Sequence, residues 1–208
     1  MKNFKQFIEE RRIMRALKNL VHKLKNPRKF TPIENPIRVF HGGTKKRDFN
    51  HKPTERGADG VGHYVLADYD KAVDYARETK NGHVHTIDMH LHRSNMMDME
   101  KKHHEQTPAI KRKLNKVFKK HGFKPNKNNL NMQDTLYQLG RHINKNNGQD
   151  GRAFSGHEQA AEDLHDHGIH AGYGEYLHPN NTTSTSYCVF GKSRNQLDVK
   201  DARKSIWQ

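Results

Sequence analysis

An α+β fold is the class that this sequence predicts, and three observations carry the prediction. The candidate elements run strand, strand, helix, strand, helices, strand, strand, an order without the strict β–α alternation of a doubly wound parallel sheet. Short runs such as "PIRVF" and "HVHTIDMHL" alternate apolar and polar residues as half-buried strands do. Neither a G-x-G-x-x-G turn between strand and helix nor a G-x-x-x-x-G-K-[ST] loop points to a Rossmann or P-loop site.

Taken in order, residues 3–25 read as an amphipathic helix. Phe4, Phe7, Ile8, Met14, Leu17, Val21 and Leu24 recur at three- and four-residue steps. Pro27, Pro32 and Pro36 end it and stiffen the link, giving an N-terminal unit of residues 1–30 before a compact domain of 36–204. "PIRVFHGGT" is a strand broken by its glycines, and "GHYVLA" is a second. "DYDKAVDYARETKNG" is a helix capped by Asp68 or Asp70, with Ala72, Val73 and Ala76 inward and Asn81-Gly82 as its stop. In the next strand Ile87, Met89 and Leu91 share a face. A basic helical insertion follows at about 99–150: a helix over 99–121 with the stripe Ile110, Leu114, Val117, Phe118, then a short helix around "DTLYQLGRHI". "HEQAAEDLHDHG" is a helix ended by Gly168, and "TSYCVFG" and "NQLDVKDA" are the closing strands.

Composition bounds the function. The chain has 208 residues, is 32% apolar and has a mean hydropathy of −1.14, so its core is modest. No apolar run approaches the ~20 residues that span a bilayer, and no signal-peptide core follows the N-terminal charges. One cysteine, Cys188, excludes an intrachain disulfide. The net charge is +15 with a pI near 9.9. The charge is clustered at residues 11–29 and 111–127, which favours polyanionic partners and contacts to phosphate that are blind to sequence. Histidines crowd one strand (His83, His85, His90, His92) and one helix region (His157, His165, His167, His170). Without a cysteine partner or an H-E-x-x-H helix they read as titratable polar surface, and no metal is expected.

Three segments, "FHGGT" (40–44), "GVGHYVLADYDKAVDYA" (60–76) and "SYCVF" (186–190), together resemble the signatures of ADP-ribosyltransferases of the diphtheria-toxin and poly(ADP-ribose) polymerase type, which carry a His-Tyr-Glu triad. The spacing from Tyr64 to Tyr75 matches the family's tyrosine pair. "MMDME", "TLYQLG" and "AAEDLHDHGIHAG" extend the likeness over roughly residues 36–200, toward the related domains of phage polyvalent proteins. The resemblance implies split antiparallel β-sheets flanked by helices, and NAD⁺ as substrate. It implies that Tyr64 and Tyr75 sandwich the nicotinamide ring by stacking and cation–π attraction. His41 would bond the adenosine-side ribose, Gly42 would offer its backbone to the carboxamide, and Thr44 would add a ribose contact. Gly43, Gly62 and Ala72 would also lie at the cofactor, and His41, Tyr64 and Ser186 would form the catalytic set.

The sequence departs from the family at the third signature, where Ser186 stands in place of the glutamate. A serine can bond the ribose hydroxyl but carries no charge, and such an electrostatic loss costs ~10²–10³ in rate. The expected activity is therefore mono-ADP-ribosyl transfer to a host protein or nucleic acid, with Glu175 as a carboxylate that the adjacent loop could supply. The alternative is a catalytically degenerate, basic, DNA-associated internal head protein. "MKNFKQFIEE" resembles the capsid-targeting peptides of large tailed phages, with cleavage after Glu10, and implies residence in a virion and then in host cytoplasm.

Overall fold

The computed structural model describes residues 35–44, 54–57, 60–78, 81–125, 130–150, 154–177 and 183–204. The expected N-terminal helix and the cleavage site after Glu10 lie outside them. The elements in chain order are β1 (Ile37–Thr44), β2 (Thr54–Gly57), β3 (Gly60–Leu66), α1 (Tyr69–Arg77), β4 (Gly82–Met89), β5 (Met96–Asp98), α2 (Pro108–Lys120), α3 (Met132–Asn146), α4 (Phe154–Asp166), β6 (Ala171–Leu177), β7 (Thr183–Phe190) and β8 (Leu197–Lys204). The fold is mixed α+β, as the element order predicts.

All the strands join one sheet in the order β5-β6-β7-β3-β1-β4-β8, with β2 beside β3. The β5–β6 pair is parallel, so the sheet is mixed rather than wholly antiparallel. Its narrowest point is the β1–β3 pairing, a single position, Phe40 opposite Leu66. By contrast β1 runs beside β4 for its whole length, from Ile37 opposite Met89 to Thr44 opposite Gly82. Two well-laddered halves therefore meet at one residue pair and diverge toward His41 on one side and Tyr64 on the other.

The core explains the shape. Met96 of β5 and Leu197 of β8 lie at opposite ends of the strand order, yet both join the cluster formed by Val39, Val65, Ile87, Met89, Tyr187 and Val189. Gln196, just before β8, accepts from the His90 N–H after β4 and donates from its side chain to His170 Nδ1, just before β6, at 3.1 Å, so the sheet curls and brings its two sides together. On the other face α1 covers Leu66 and Val84 through Ala72 and Ala76. The helices α2, α3 and α4 pack a separate cluster against Cys188 and Phe190.

Local sequence sets the helix ends. Asp68 caps α1, its Oδ1 accepting from the Asp70 N–H at 2.9 Å and the Lys71 N–H at 3.3 Å. The helix expected over 99–121 begins later, at Pro108, because Thr107 caps it by accepting from the Ile110 N–H. The residues before it form β5 and a short 3₁₀ turn, held by Gln106, whose side chain bonds both the N–H and the carbonyl of Asp98. The expected stripe Ile110, Leu114, Val117 and Phe118 is the buried face of α2.

Candidate functional site

His41 follows Phe40, where β1 leaves β3, and stands opposite His85 of β4. Its Nδ1–H donates to the Tyr64 carbonyl at 2.8 Å, so the imidazole bridges the parting strands and is fixed as the Nδ1-protonated form. The His85 ring lies beside it on β4, with centroids 6.1 Å apart.

Tyr64, half-buried, packs against the cluster formed by α2, α3 and α4. Tyr75, also half-buried, packs against the cluster beneath α1 with Phe40. Tyr64 of β3 thus meets one helical layer and Tyr75 of α1 belongs to the other, and both layers cover the same face of the sheet. Ser186 stands opposite Leu66 on the neighbouring strand, two residues along β7 from Cys188, which is itself opposite Tyr64. Alternation along a strand places Ser186, Cys188, Tyr64 and Leu66 on one face, at the boundary between the two helical clusters.

The glycines have packing reasons of their own. A Cβ on Gly42 would come within 1.9 Å of the Ala72 carbonyl oxygen, so only glycine lets α1 lie against β1. Ala72 is fully buried in that contact. On Gly62 a Cβ would lie 2.5 Å from Cys188 Sγ and 2.7 Å from the Val189 carbonyl oxygen. Gly43 is buried in the β1–β4 ladder opposite His83. Thr44 is the last residue of β1, opposite Gly82.

Ser186 is 8% exposed, and its hydroxyl donates to the Gly174 carbonyl at 3.4 Å. Among the described residues no carboxylate hydrogen-bonds to it. Glu175 does not lie in a loop: it belongs to β6 and stands opposite Thr185, whereas Gly174 stands opposite Ser186. Its side chain therefore leaves the sheet on the face opposite to that of Ser186. There it lines a hollow of about 270 Å³ with Arg93, Asp98, Glu100, Tyr173 and Tyr187. The expected substitute carboxylate is on the wrong side of the strand.

A polar cluster missed by sequence reasoning joins the helices. Asp163 of α4 is buried, its carboxylate accepting from His121 Nε2 at 2.6 Å and from Lys120 Nζ at 2.5 Å. Burial pushes this carboxyl up, but the hydrogen bonds from Lys120 and His121 outweigh it and hold Asp163 below the usual carboxylate range. His142 closes the set by donating from Nε2 to the His121 carbonyl at 3.0 Å. Its sequence trace is faint: one aspartate on the inner side of a helix otherwise lined with Ala160, Ala161 and Leu164.

His83 Nδ1 donates to the Asn81 carbonyl at 2.8 Å, His92 Nδ1 accepts from the Ser94 N–H at 3.2 Å, and His165 stacks on His170 at 4.9 Å. Among the described residues no group of three or more His, Cys, Asp or Glu is disposed to hold a metal ion. No helix among them is long and apolar enough to cross a membrane. Comparison of the chain with protein-family models, with curated proteins and with solved structures finds no match.

Proposed function

We propose that the chain is a mono-ADP-ribosyltransferase that moves ADP-ribose from NAD⁺ to a host protein or nucleic acid. One observation carries the reading. β1 and β3 separate after a single residue pair, and at that separation the His41 ring is bonded to the carbonyl of Tyr64. The remaining named residues gather around the same strands: Ser186 on β7 beside β3, and Tyr75 on the helix that crosses β1. A curled sheet narrowed at its centre is also what split sheets of this transferase class would require.

In this reading Tyr64 and Tyr75 grip the nicotinamide ring, and His41 orients the adenosine-side ribose. The bond between ribose C1′ and the nicotinamide nitrogen breaks heterolytically, and nicotinamide leaves with the electron pair. The oxocarbenium-like sugar is then captured by an acceptor nucleophile, which gives up its proton. The Ser186 hydroxyl can bond the ribose but supplies no charge to the cationic transition state, so the rate is low. Localisation to a phage capsid and then to host cytoplasm belongs to the same proposal and rests on the N-terminal resemblance.

Incubation with labelled NAD⁺ and bacterial lysate tests it. Label transfer and nicotinamide release are expected, both abolished by Tyr64→Ala combined with Tyr75→Ala. Transfer that survives the double substitution refutes this site. Ser186→Glu should raise turnover by on the order of 10²-fold, because it restores the missing charge.

The second reading is a degenerate transferase domain that serves as a basic DNA-associated component. It is favoured by the isolation of Ser186 from any hydrogen-bonded carboxylate and by the outward turn of Glu175. No nicotinamide release from either wild type or Ser186→Glu, with salt-steep DNA binding, would establish it.

A further inference from the structure

A second hollow lies against α2. It has a volume of about 730 Å³, and its walls include Lys102, His103, His104, Lys119, Phe123 and Lys124. That size falls in the range of roughly 300–1,000 Å³ typical of ligand sites. Among the described residues its walls hold three lysines and two histidines and no carboxylate.

The lysines of this region divide into two groups. Lys113 is structural, its Nζ donating to Asn95 Oδ1 and to the Ser94 and Gly168 carbonyls. Lys120 is committed to Asp163, and Lys111 donates to the His104 carbonyl. Lys119 and Lys124, at the hollow, have no hydrogen-bond or ion-pair partner among the described residues. Arg112, Lys116 and Lys119, at steps of four and three, form an exposed stripe that leads along α2 into it.

The walls also carry an aromatic row. Phe118 meets His103 at 5.4 Å and Phe123 at 5.3 Å, and Phe123 meets His142 at 5.5 Å. Phe118 is buried, so it backs the row, while half-buried Phe123 offers ring surface. His103 Nε2 is buried without a hydrogen-bond partner, while Asn115 hydrogen-bonds the same side chain.

We propose that this hollow is a binding site for single-stranded nucleic acid, in which a base stacks on Phe123 and the flanking phosphates contact Lys102, Lys119 and Lys124. Clustered lysines neutralise phosphate by counterion release, and an aromatic face adds sequence-tolerant stacking. A duplex hides its base faces, so the ring surface selects an unpaired strand. The site is independent of the transferase reading, since His41, Tyr64, Tyr75 and Ser186 are not among its walls.

The test is fluorescence anisotropy on the full chain, without NAD⁺, using a labelled oligothymidylate of about 12 nucleotides and a duplex of equal length. Tighter binding of the single strand is expected. Lys119→Glu with Lys124→Glu should weaken it by roughly ten-fold or more and make its salt dependence shallower. The control pair Lys145→Glu with Lys200→Glu, with the same net charge, should change it less than about three-fold. Phe123→Ala should cost the single strand roughly ten-fold and leave the duplex little changed, with thermal melting used to check folding. Phe123→Trp should retain binding, and its emission should be quenched by the stacked base. Equal loss from both charge pairs, equal affinity for duplex and single strand, or an unquenched Trp at full occupancy would overturn the proposal. None of these outcomes depends on NAD⁺ chemistry, so failure here and failure of the transferase reading are separate results.

Discussion

Asp163 shows how one buried residue can organise three helices. Its side chain is 6% exposed and receives Lys120 and His121 from the end of α2, and the His121 carbonyl in turn receives His142 of α3. The folded carboxyl lies below its ordinary value, so the folded state binds this proton more weakly than the unfolded chain does. Its contribution is fully present above the unfolded value of about 3.9 and is lost as pH falls through the depressed folded value. Asp163→Asn should cost about 2 kcal/mol at neutral pH. The gap from wild type should close below about pH 4, as read by urea denaturation across pH. A gap that stays constant down to pH 2 would remove the charge from this account. His41 is the opposite case, because its chemistry was legible from "FHGG" but its bond to Tyr64 was not, being made across 23 residues of chain.

Between elements, close approach is set by glycines. Gly156 of α4 leaves room for Asn144 of α3: a Cβ there would lie 2.3 Å from Asn144 Oδ1 and 2.3 Å from the Gly140 carbonyl oxygen. The amide of Gly156 donates to the same Oδ1 at 2.7 Å. Gly156→Ala should therefore cost about 2–3 kcal/mol by overpacking. Gly122→Ala, in open space but at φ +62°, should cost only about 1 kcal/mol; denaturation midpoints compare the two. Periodicity made α1, β4 and the inner face of α2 readable, since their apolar steps are strong and their ends carry Asp68 and Thr107 as caps. It did not reveal β6, where Gly172 and Gly174 interrupt the strand pattern; a Cβ on Gly172 would strike Met99 Sδ at 2.5 Å. The facing of Glu175 was equally hidden, because register decides it and register is a tertiary property.

At the scale of the whole molecule, a sheet that curls around one cluster while joined at its middle by a single pair has a natural seam. Strong ladders lie on both sides of it, β1 with β4 and β3 with β7. The sequence pointed to the residues at this seam by their types and order, but the seam itself arises from how the strands pair. Cys188 sits next to it, 1% exposed, on the strand beside β3 and close behind Gly62. It is the chain's sole thiol, so a disulfide dye reports on one location only. In native buffer its colour should develop no faster than the β3–β7 ladder separates, giving a clock for opening of the sheet beside the seam. Saturating NAD⁺ should slow that clock if the dinucleotide clamps the seam, and rapid labelling of the folded chain would show that the wall breathes on its own.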